Sequence, residues 1–334
     1  MKNRLLTGFV FIPLLMPLSA TAGFQLSGQL QQEFVNWMSE PSRLEGKVLD
    51  DGGQYQGTSS TGSASASYIA INAQENLKND KRGIAHVSFF ISPDDHMATG
   101  VTGMDAYLGF ENEYSTWTFG TQSTAYMLST TAWDPFWATF MQARGNGGAS
   151  LLLNSRSVGN SINYRSNWWG ADVAYSWGVD DTDTTPADGE TDRNDLNSVS
   201  FTFPQNDWTY VIAYEDDGRY AGGHASKLGA RVKLDKKWMM SLQMEGLGGG
   251  VGDGEIGFVS FEYQSDADLQ YGMNFGRFSS NNNSASPSLN YAALGLKYAF
   301  TKKAVTHLGT RLTTADTASN ENEFAWGLGL RYRF

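Results

Sequence analysis

The stretch Glu323-Phe324-Ala325-Trp326-Gly327-Leu328-Gly329-Leu330-Arg331-Tyr332-Arg333-Phe334 alternates without a break. Phe324, Trp326, Leu328, Leu330, Tyr332 and Phe334 fall on one face of an extended chain, and Glu323, Ala325, Gly327, Gly329, Arg331 and Arg333 on the other. A period of two held this long reads as a β-strand with one apolar and one polar side. No turn follows Phe334, so the strand needs a partner from elsewhere. In an exported chain this combination implies a closed barrel in lipid whose first and last strands pair.

Export is read from the other end. Lys2 and Arg4 precede an apolar run from Leu5 to Leu18, broken by Pro13 and Pro17, and Ala20-Thr21-Ala22 makes an A-x-A cleavage site. Residues 1–22 therefore read as a signal peptide and 23–334 as the folded domain. The apolar run is too short for a persistent membrane helix. Without Lys2 and Arg4 the formal charge moves from -11 to -13, which argues against nucleic acid, since a duplex binder needs a basic footprint. There is no cysteine, so neither a disulfide nor a Cys/His zinc site is possible. The mean hydropathy of -0.38 looks soluble. It does not exclude a membrane barrel, because lipid-facing and lumen-facing residues cancel in any window. A secreted β-sandwich could share the composition, but it would not keep Phe, Trp, Leu and Tyr facing outward in strand after strand.

Work back from the last strand and the same rhythm recurs. Trp208, Tyr210, Ile212 and Tyr214 share a face, as do Trp238, Met240, Leu242 and Met244, and Ala292, Leu294, Leu296, Tyr298 and Phe300. Seven short connections, at Asn79-Asp80, Asn112-Glu113, Asn167-Trp168, Pro204–Asp207, Asp235–Lys237, Ser265–Asp268 and Thr301–Lys303, alternate with eight long ones. The long ones run roughly Ser39–Gly62, Pro93–Thr102, Ser123–Ser155, Val179–Asp195, Asp216–Ala225, Gly246–Gly254, Ser279–Ser288 and Thr314–Asn322. The spacing predicts an all-β, sixteen-stranded antiparallel transmembrane β-barrel, with short turns at one end and long loops at the other. Ser63–Ala73 is the weakest strand, and its small residues suit a subunit neighbour. A barrel of this strand number is wide enough for an aqueous channel.

Three places carry a family resemblance. Asp105-Ala106-Tyr107-Leu108-Gly109-Phe110, followed by Trp117-Thr118-Phe119-Gly120-Thr121-Gln122, is similar to a Tyr-Val-Gly-Leu strand, a short turn and a strand ending Gly-Arg-Gln. Arg156 with Asn160–Ser166 resembles the strand after a constriction loop. Leu294–Lys303 with Gly329–Phe334 resembles a final hairpin. In this order they resemble the general diffusion porins of Gram-negative bacteria, in the beta-proteobacterial-like branch. The resemblance implies a homotrimer in the bacterial outer membrane, in contact with its lipid and lipopolysaccharide. It implies a third external loop folded inward, a passive path for small hydrophilic solutes and ions, and a terminal Phe334 read as an assembly signal. Thr121 stands where the family has Arg, and no Arg lies near Met104, so the basic wall is expected to be thinner.

A pore needs a narrow zone whose charges filter solutes rather than a nucleophile. The long Ser123–Ser155 connection carries Ala132-Trp133-Asp134-Pro135-Phe136-Trp137, a rigid aromatic run with one acid. Asp134, Trp133, Phe136 and Trp137 are the loop-side candidates. Alternation puts Arg82, Arg165, Arg231 and Arg311 on polar strand faces as the opposing basic wall, with Lys227, Lys297, Arg331 and Arg333 inward by the same rule. Arg or Lys facing lipid near mid-bilayer costs about 2–4 kcal/mol, which favours the inward placement.

Catalysis finds no foothold. The histidines His86, His96, His224 and His307 form no H-E-x-x-H, and no G-x-S-x-G elbow exists. Gly252–Gly257 fits G-x-G-x-x-G only formally, with no helix after it. The acidic stretch Asp180–Asp195 lacks the Gly and Glu of an EF-hand and reads as a solvated loop. No enzyme activity, cofactor or metal is expected. Two other readings remain open: a substrate-selective porin whose Trp133, Phe136 and Trp137 form an aromatic solute track, and a non-conducting outer-membrane adhesin.

Overall fold

The computed structural model describes residues 23–40, 46–50, 67–91, 101–143, 157–179, 195–218, 223–249, 253–281, 288–316 and 322–334. The signal-peptide residues 1–22, Arg156 and the acidic stretch at 180–194 lie outside them. The strands are β1 (Gly23–Glu40), β2 (Gly46–Asp50), β3 (Tyr68–Asn76), β4 (Arg82–Ile91), β5 (Val101–Glu111), β6 (Ser115–Ser123), β7 (Ser157–Trp168), β8 (Ala171–Val179) and β9 (Asp195–Gln205). They continue as β10 (Trp208–Asp217), β11 (Gly223–Lys233), β12 (Trp238–Gly248), β13 (Gly254–Gln264), β14 (Leu269–Ser280), β15 (Leu289–Ala299), β16 (Ala304–Ala315) and β17 (Asn322–Arg333). Each strand pairs antiparallel with its neighbours. β1 pairs with β17 from Gln29↔Arg333 to Glu40↔Asn322, which closes the sheet on itself. Closure joins the two terminal strands, β1 and β17, which would otherwise be free edges, a condition for a sheet to sit in lipid.

These strands fill sixteen positions, because β2 and β3 share one. Both pair with the edge of β1 opposite β17: β2 with Glu33–Trp37, β3 with Gly23–Gln29. Between the two pairings Ser67 Oγ accepts from the Gln31 N–H at 2.9 Å and donates to the Gln31 carbonyl at 3.1 Å. One hydroxyl thus satisfies the β1 backbone where neither short strand reaches. The stretch expected as a loop at Ser39–Gly62 therefore contains a strand, one of five residues and too short to display a period of two. The weak strand begins at Tyr68, later than the Ser63 expected.

The short turns lie where expected, with small shifts. Trp169 and Gly170 have φ of 51° and 85°, the positive values that a two-residue hairpin requires, and Asn79 and Asp80, with φ of 59° and 53°, turn the chain between Leu77 and Lys81. The first of these turns is displaced from Asn167-Trp168 because Trp168 still pairs with Ala171.

Parity sorts the side chains. Leu228, Leu242, Met244, Leu294, Leu308, Leu328 and Leu330 are exposed on the outside, while Ser241, Ser260, Asn274, His307 and Arg311 are buried inside. Around the short-turn rim the outer aromatics meet one another. Trp238 and Tyr263 lie 4.6 Å apart between ring centroids, Tyr263 and Tyr271 6.2 Å, Tyr298 and Phe300 5.2 Å, Trp208 and Tyr210 5.8 Å, and Trp117 and Tyr164 4.6 Å. Rings with an apolar body and a polar tip suit the boundary between hydrocarbon and headgroups. Leu328 lies on the apolar face in the middle of β17. Leu328→Arg is expected to lower the unfolding free energy in lipid vesicles by about 2–4 kcal/mol. A loss below about 0.5 kcal/mol in a urea titration would show that this face does not meet hydrocarbon.

Candidate functional site

After β6 the chain leaves the wall and runs through the barrel interior over residues 124–143. Its departure begins at a bulge: the β6–β7 register shifts between Gly120 and Gln122, and Gly120 has φ of 138°. A Cβ there would lie 2.2 Å from the Ala106 carbonyl oxygen, so only glycine fits. A one-turn helix α1 (Ala125–Leu128) follows, capped by Thr124, whose side chain accepts from the Met127 N–H. Two more amides of that turn donate to wall hydroxyls, Ala125 N to Ser176 Oγ and Tyr126 N to Ser198 Oγ, both at 2.8 Å. The orphan donors of a helix start are thus satisfied by β8 and β9.

Beyond α1 the segment has little regular structure, so its amides and carbonyls need outside partners. The wall, together with Asp134 of the segment itself, supplies them by charge. Carbonyls accept from bases: Tyr126 O from Lys227 at 2.9 Å, Ala132 O from Arg231 at 3.1 Å, Pro135 O from Lys297, Ala138 O from Arg331 at 2.8 Å and Phe140 O from Arg311 at 3.2 Å. Amides donate to acids: Phe140 N to Glu33 Oε2 at 3.1 Å, Phe136 N to Asp134 Oδ1 at 2.8 Å and Ala143 N to Asp134 Oδ2 at 2.7 Å. Glu33 also meets His307 and Gln31, while Arg311 pairs with Glu323 and Arg231 with Glu262. Ala138 holds a φ of 58°, unusual for a residue with a Cβ. Its carbonyl is clamped by both Arg331 and Gln31, the latter at 2.7 Å.

Apolar side chains of the segment sit in gaps that inward glycines leave. A Cβ on Gly229 would lie 2.5 Å from the Trp133 ring, one on Gly272 2.8 Å from the Phe136 ring, and one on Gly309 2.2 Å from the Met141 sulfur. Trp133, Phe136, Phe140 and Met141 are correspondingly buried. The segment therefore follows the inner wall from β8 through β17 to β1. In barrel order β4 stands half a turn from β12, on the far side of the interior. There His86 Nδ1 lies 2.7 Å from Asn72 Oδ1, and the His86 ring stacks on Tyr107 with centroids 5.0 Å apart.

The shape has close counterparts among solved structures. The anion-selective porin from Comamonas acidovorans superposes with a TM-score of 0.78 at 14% identity, over 94% of this chain and 100% of that one. A multiple mutant of the Rh. blastica porin gives 0.64 at 16% identity, over 93% and 100%. The trimer form of OmpT, an outer membrane protein of Vibrio cholerae, gives 0.63 at 14%, over 94% and 99%. The chain has the porin fold. No family model matches it, and no curated protein matches it in sequence.

Within this porin fold the sequence candidates divide. Arg231 and Arg311 reach the interior segment. Arg82 sits at the first position after a short turn and pairs with Glu111. Arg165 lies three residues before the end of β7, exposed and apart from the segment's bonds to the bases. Asp134 is fixed by three hydrogen bonds, the third from Asn274 Nδ2 at 2.6 Å. Burial pushes its carboxyl above the usual carboxylate value, against these bonds and the nearby Lys297 charge. Trp133 and Phe136 face the wall, and Trp137 is half-buried. Phe334 exchanges backbone hydrogen bonds with Gly28, at 3.1 and 3.3 Å. Lys227, Lys297 and Arg331 join the contact set. Parity had marked them as inward, but no sequence signal showed that they meet the segment. Glu33 and the glycine sockets gave no signal of their own.

Gly229→Val should force Trp133 out of its socket and destabilise the folded barrel by about 1–3 kcal/mol, the usual cost of overpacking. The thermal midpoint of the shift in detergent-gel mobility measures this. A midpoint equal to wild type would mean that Trp133 is not seated there.

Proposed function

We propose that the chain is an outer-membrane porin, a water-filled channel through which small hydrophilic solutes and ions diffuse down their gradients. One observation carries this reading. The interior segment is bonded along one side of the barrel, from β8 to β1, and polar residues such as His86, Asn72 and Tyr107 face it from the other. A barrel of sixteen positions is wide enough to keep an aqueous path between the two. In this reading the segment is the inward-folded third external loop, and it narrows the path to an eyelet. Asp134 and the bases bonded to the segment then set the local field that filters solutes by charge.

The outer membrane is the matching location, since the fold presents an apolar outer band with an aromatic rim. A homotrimer, with lipid and lipopolysaccharide around it, is the matching assembly, and one structural counterpart is described in trimer form. The signal peptide over 1–22 and the role of Phe334 as an assembly signal belong to the same proposal. An aromatic solute track gains no support from Trp133 and Phe136, because both are buried between segment and wall.

Planar-bilayer recording tests the reading. Purified, folded protein should give stepwise openings, in threes if trimeric, and the reversal potential in a salt gradient gives the sign of selectivity. Folded protein without conductance would instead favour a plugged barrel or an adhesin.

The acid of the eyelet gives a second measurement. The raised value of Asp134 means that its carboxylate takes up its proton at a higher pH than a free aspartate does. As pH falls through that range the path loses one negative charge, and the reversal potential should move toward anion preference. Asp134→Asn is neutral throughout, so its curve should be flatter over the same range. Superimposable wild-type and variant curves would remove Asp134 from the filtering field.

A further inference from the structure

Between helix α1 and the short turn at 112–114 lies a cavity of about 410 Å³. This volume falls in the range of small-molecule sites. Its chemistry is mixed in an ordered way. Thr116 from β6 with Ser200 and Thr202 from β9 contribute hydroxyls, and Leu128 of α1 contributes an apolar flank. Arg165 is its cation, and Glu113 and Asp172 are its acids. The Arg165 side chain is exposed and, among the described residues, its guanidinium has no hydrogen-bond or ion-pair partner. Every other base named at the interior segment is engaged with a carbonyl or a carboxylate. Asp172 accepts one hydrogen bond, from Asn167 Nδ2 at 2.9 Å, and keeps further acceptor capacity.

We propose that this cavity is a subsite for small zwitterions of amino-acid type, with Arg165 taking the carboxylate and Glu113 and Asp172 the ammonium. The inference rests on the porin reading and names a class of solute for that path. A guanidinium presents a fork that matches a carboxylate, which a lone ammonium does not. A simple anion drawn to Arg165 meets two carboxylates, and a simple cation drawn to the acids meets Arg165. A neutral polyol uses the hydroxyls alone. Only a solute carrying both charges engages all three groups, and an aliphatic side chain would lie along Leu128.

Conductance in potassium chloride, recorded from the full-length folded protein with increasing leucine or mannitol, tests this. Each protein is referred to its own current without solute. Leucine should depress the wild-type current along a saturating curve, while mannitol depresses it in proportion to concentration. Arg165→Gln should raise the half-blocking leucine concentration about tenfold or more, as expected for the loss of a charge-assisted hydrogen bond. Arg165→Lys keeps the charge without the fork and should fall between the two. The double variant Glu113→Gln, Asp172→Asn should weaken the leucine block and leave the mannitol effect as it was. A linear leucine effect, or a half-blocking concentration within twofold of wild type in Arg165→Gln, overturns the subsite. Wild-type protein that conducts but shows only a linear leucine effect loses the subsite alone. Protein that does not conduct at all loses the porin reading first. Heat-modifiable gel mobility confirms that each variant is folded before it is recorded.

Discussion

A chain that crosses the inside of a barrel without regular structure must find a partner for each backbone amide and carbonyl. An unpartnered buried group costs on the order of 1–3 kcal/mol, so a few of them would cancel the stability of an ordinary domain. Here the barrel wall answers the backbone with side chains of matching sign. Lys227, Arg231, Lys297, Arg311 and Arg331 donate to carbonyls, and Glu33 accepts an amide. Asp134 does the same from within the segment. The charges inside the barrel are therefore structural and electrostatic at once. Removing one leaves a backbone group bare as well as altering the field.

The same constraint explains the interior glycines. Trp133, Phe136 and Met141 approach the strand backbone closely, and Gly229, Gly272 and Gly309 are the positions where a side chain would stand in the way. Polar bonds set which stretch of the segment faces which strand, and the sockets set how close it comes. Together they hold Ala138 in a backbone conformation that a residue with a Cβ seldom adopts.

Much of the architecture was legible in the residues because strand parity is a local property. Glu323–Phe334 alone separates an apolar outside from a polar inside, and the turn residues Asn79-Asp80 mark one end of the barrel. Parity also put Arg231 and Arg311 on the inner face, and it could not say more. Arg82 and Arg165 share that face, yet they lie near short turns, because depth and angular position depend on the tilt and stagger of the whole closed sheet. The partnership of Phe136 with Gly272, or of Glu33 with Phe140, joins residues far apart in the chain and follows no period. β2 escaped notice for a simpler reason, since five residues are too few to show a pattern. The three resemblance motifs fall mainly on β5, β6, β7, β15 and β17, so they carried the strand order well and the segment's seating hardly at all.

The closing seam also has a kinetic consequence. The hydrogen bond from Arg333 to Gln29 joins residues 304 positions apart, and the β1–β17 ladder runs on from there to Glu40↔Asn322, a pairing almost as remote. Contacts so remote form slowly, because a long loop must close before any of them is gained. Until then β1 and β17 are open edges, and the segment lacks part of its bed, since Glu33 and Gln31 belong to β1 while Arg331 belongs to β17. Seating the segment and closing the hoop are thus late steps that depend on each other, and the unclosed sheet that precedes them is the species most exposed to wrong pairing.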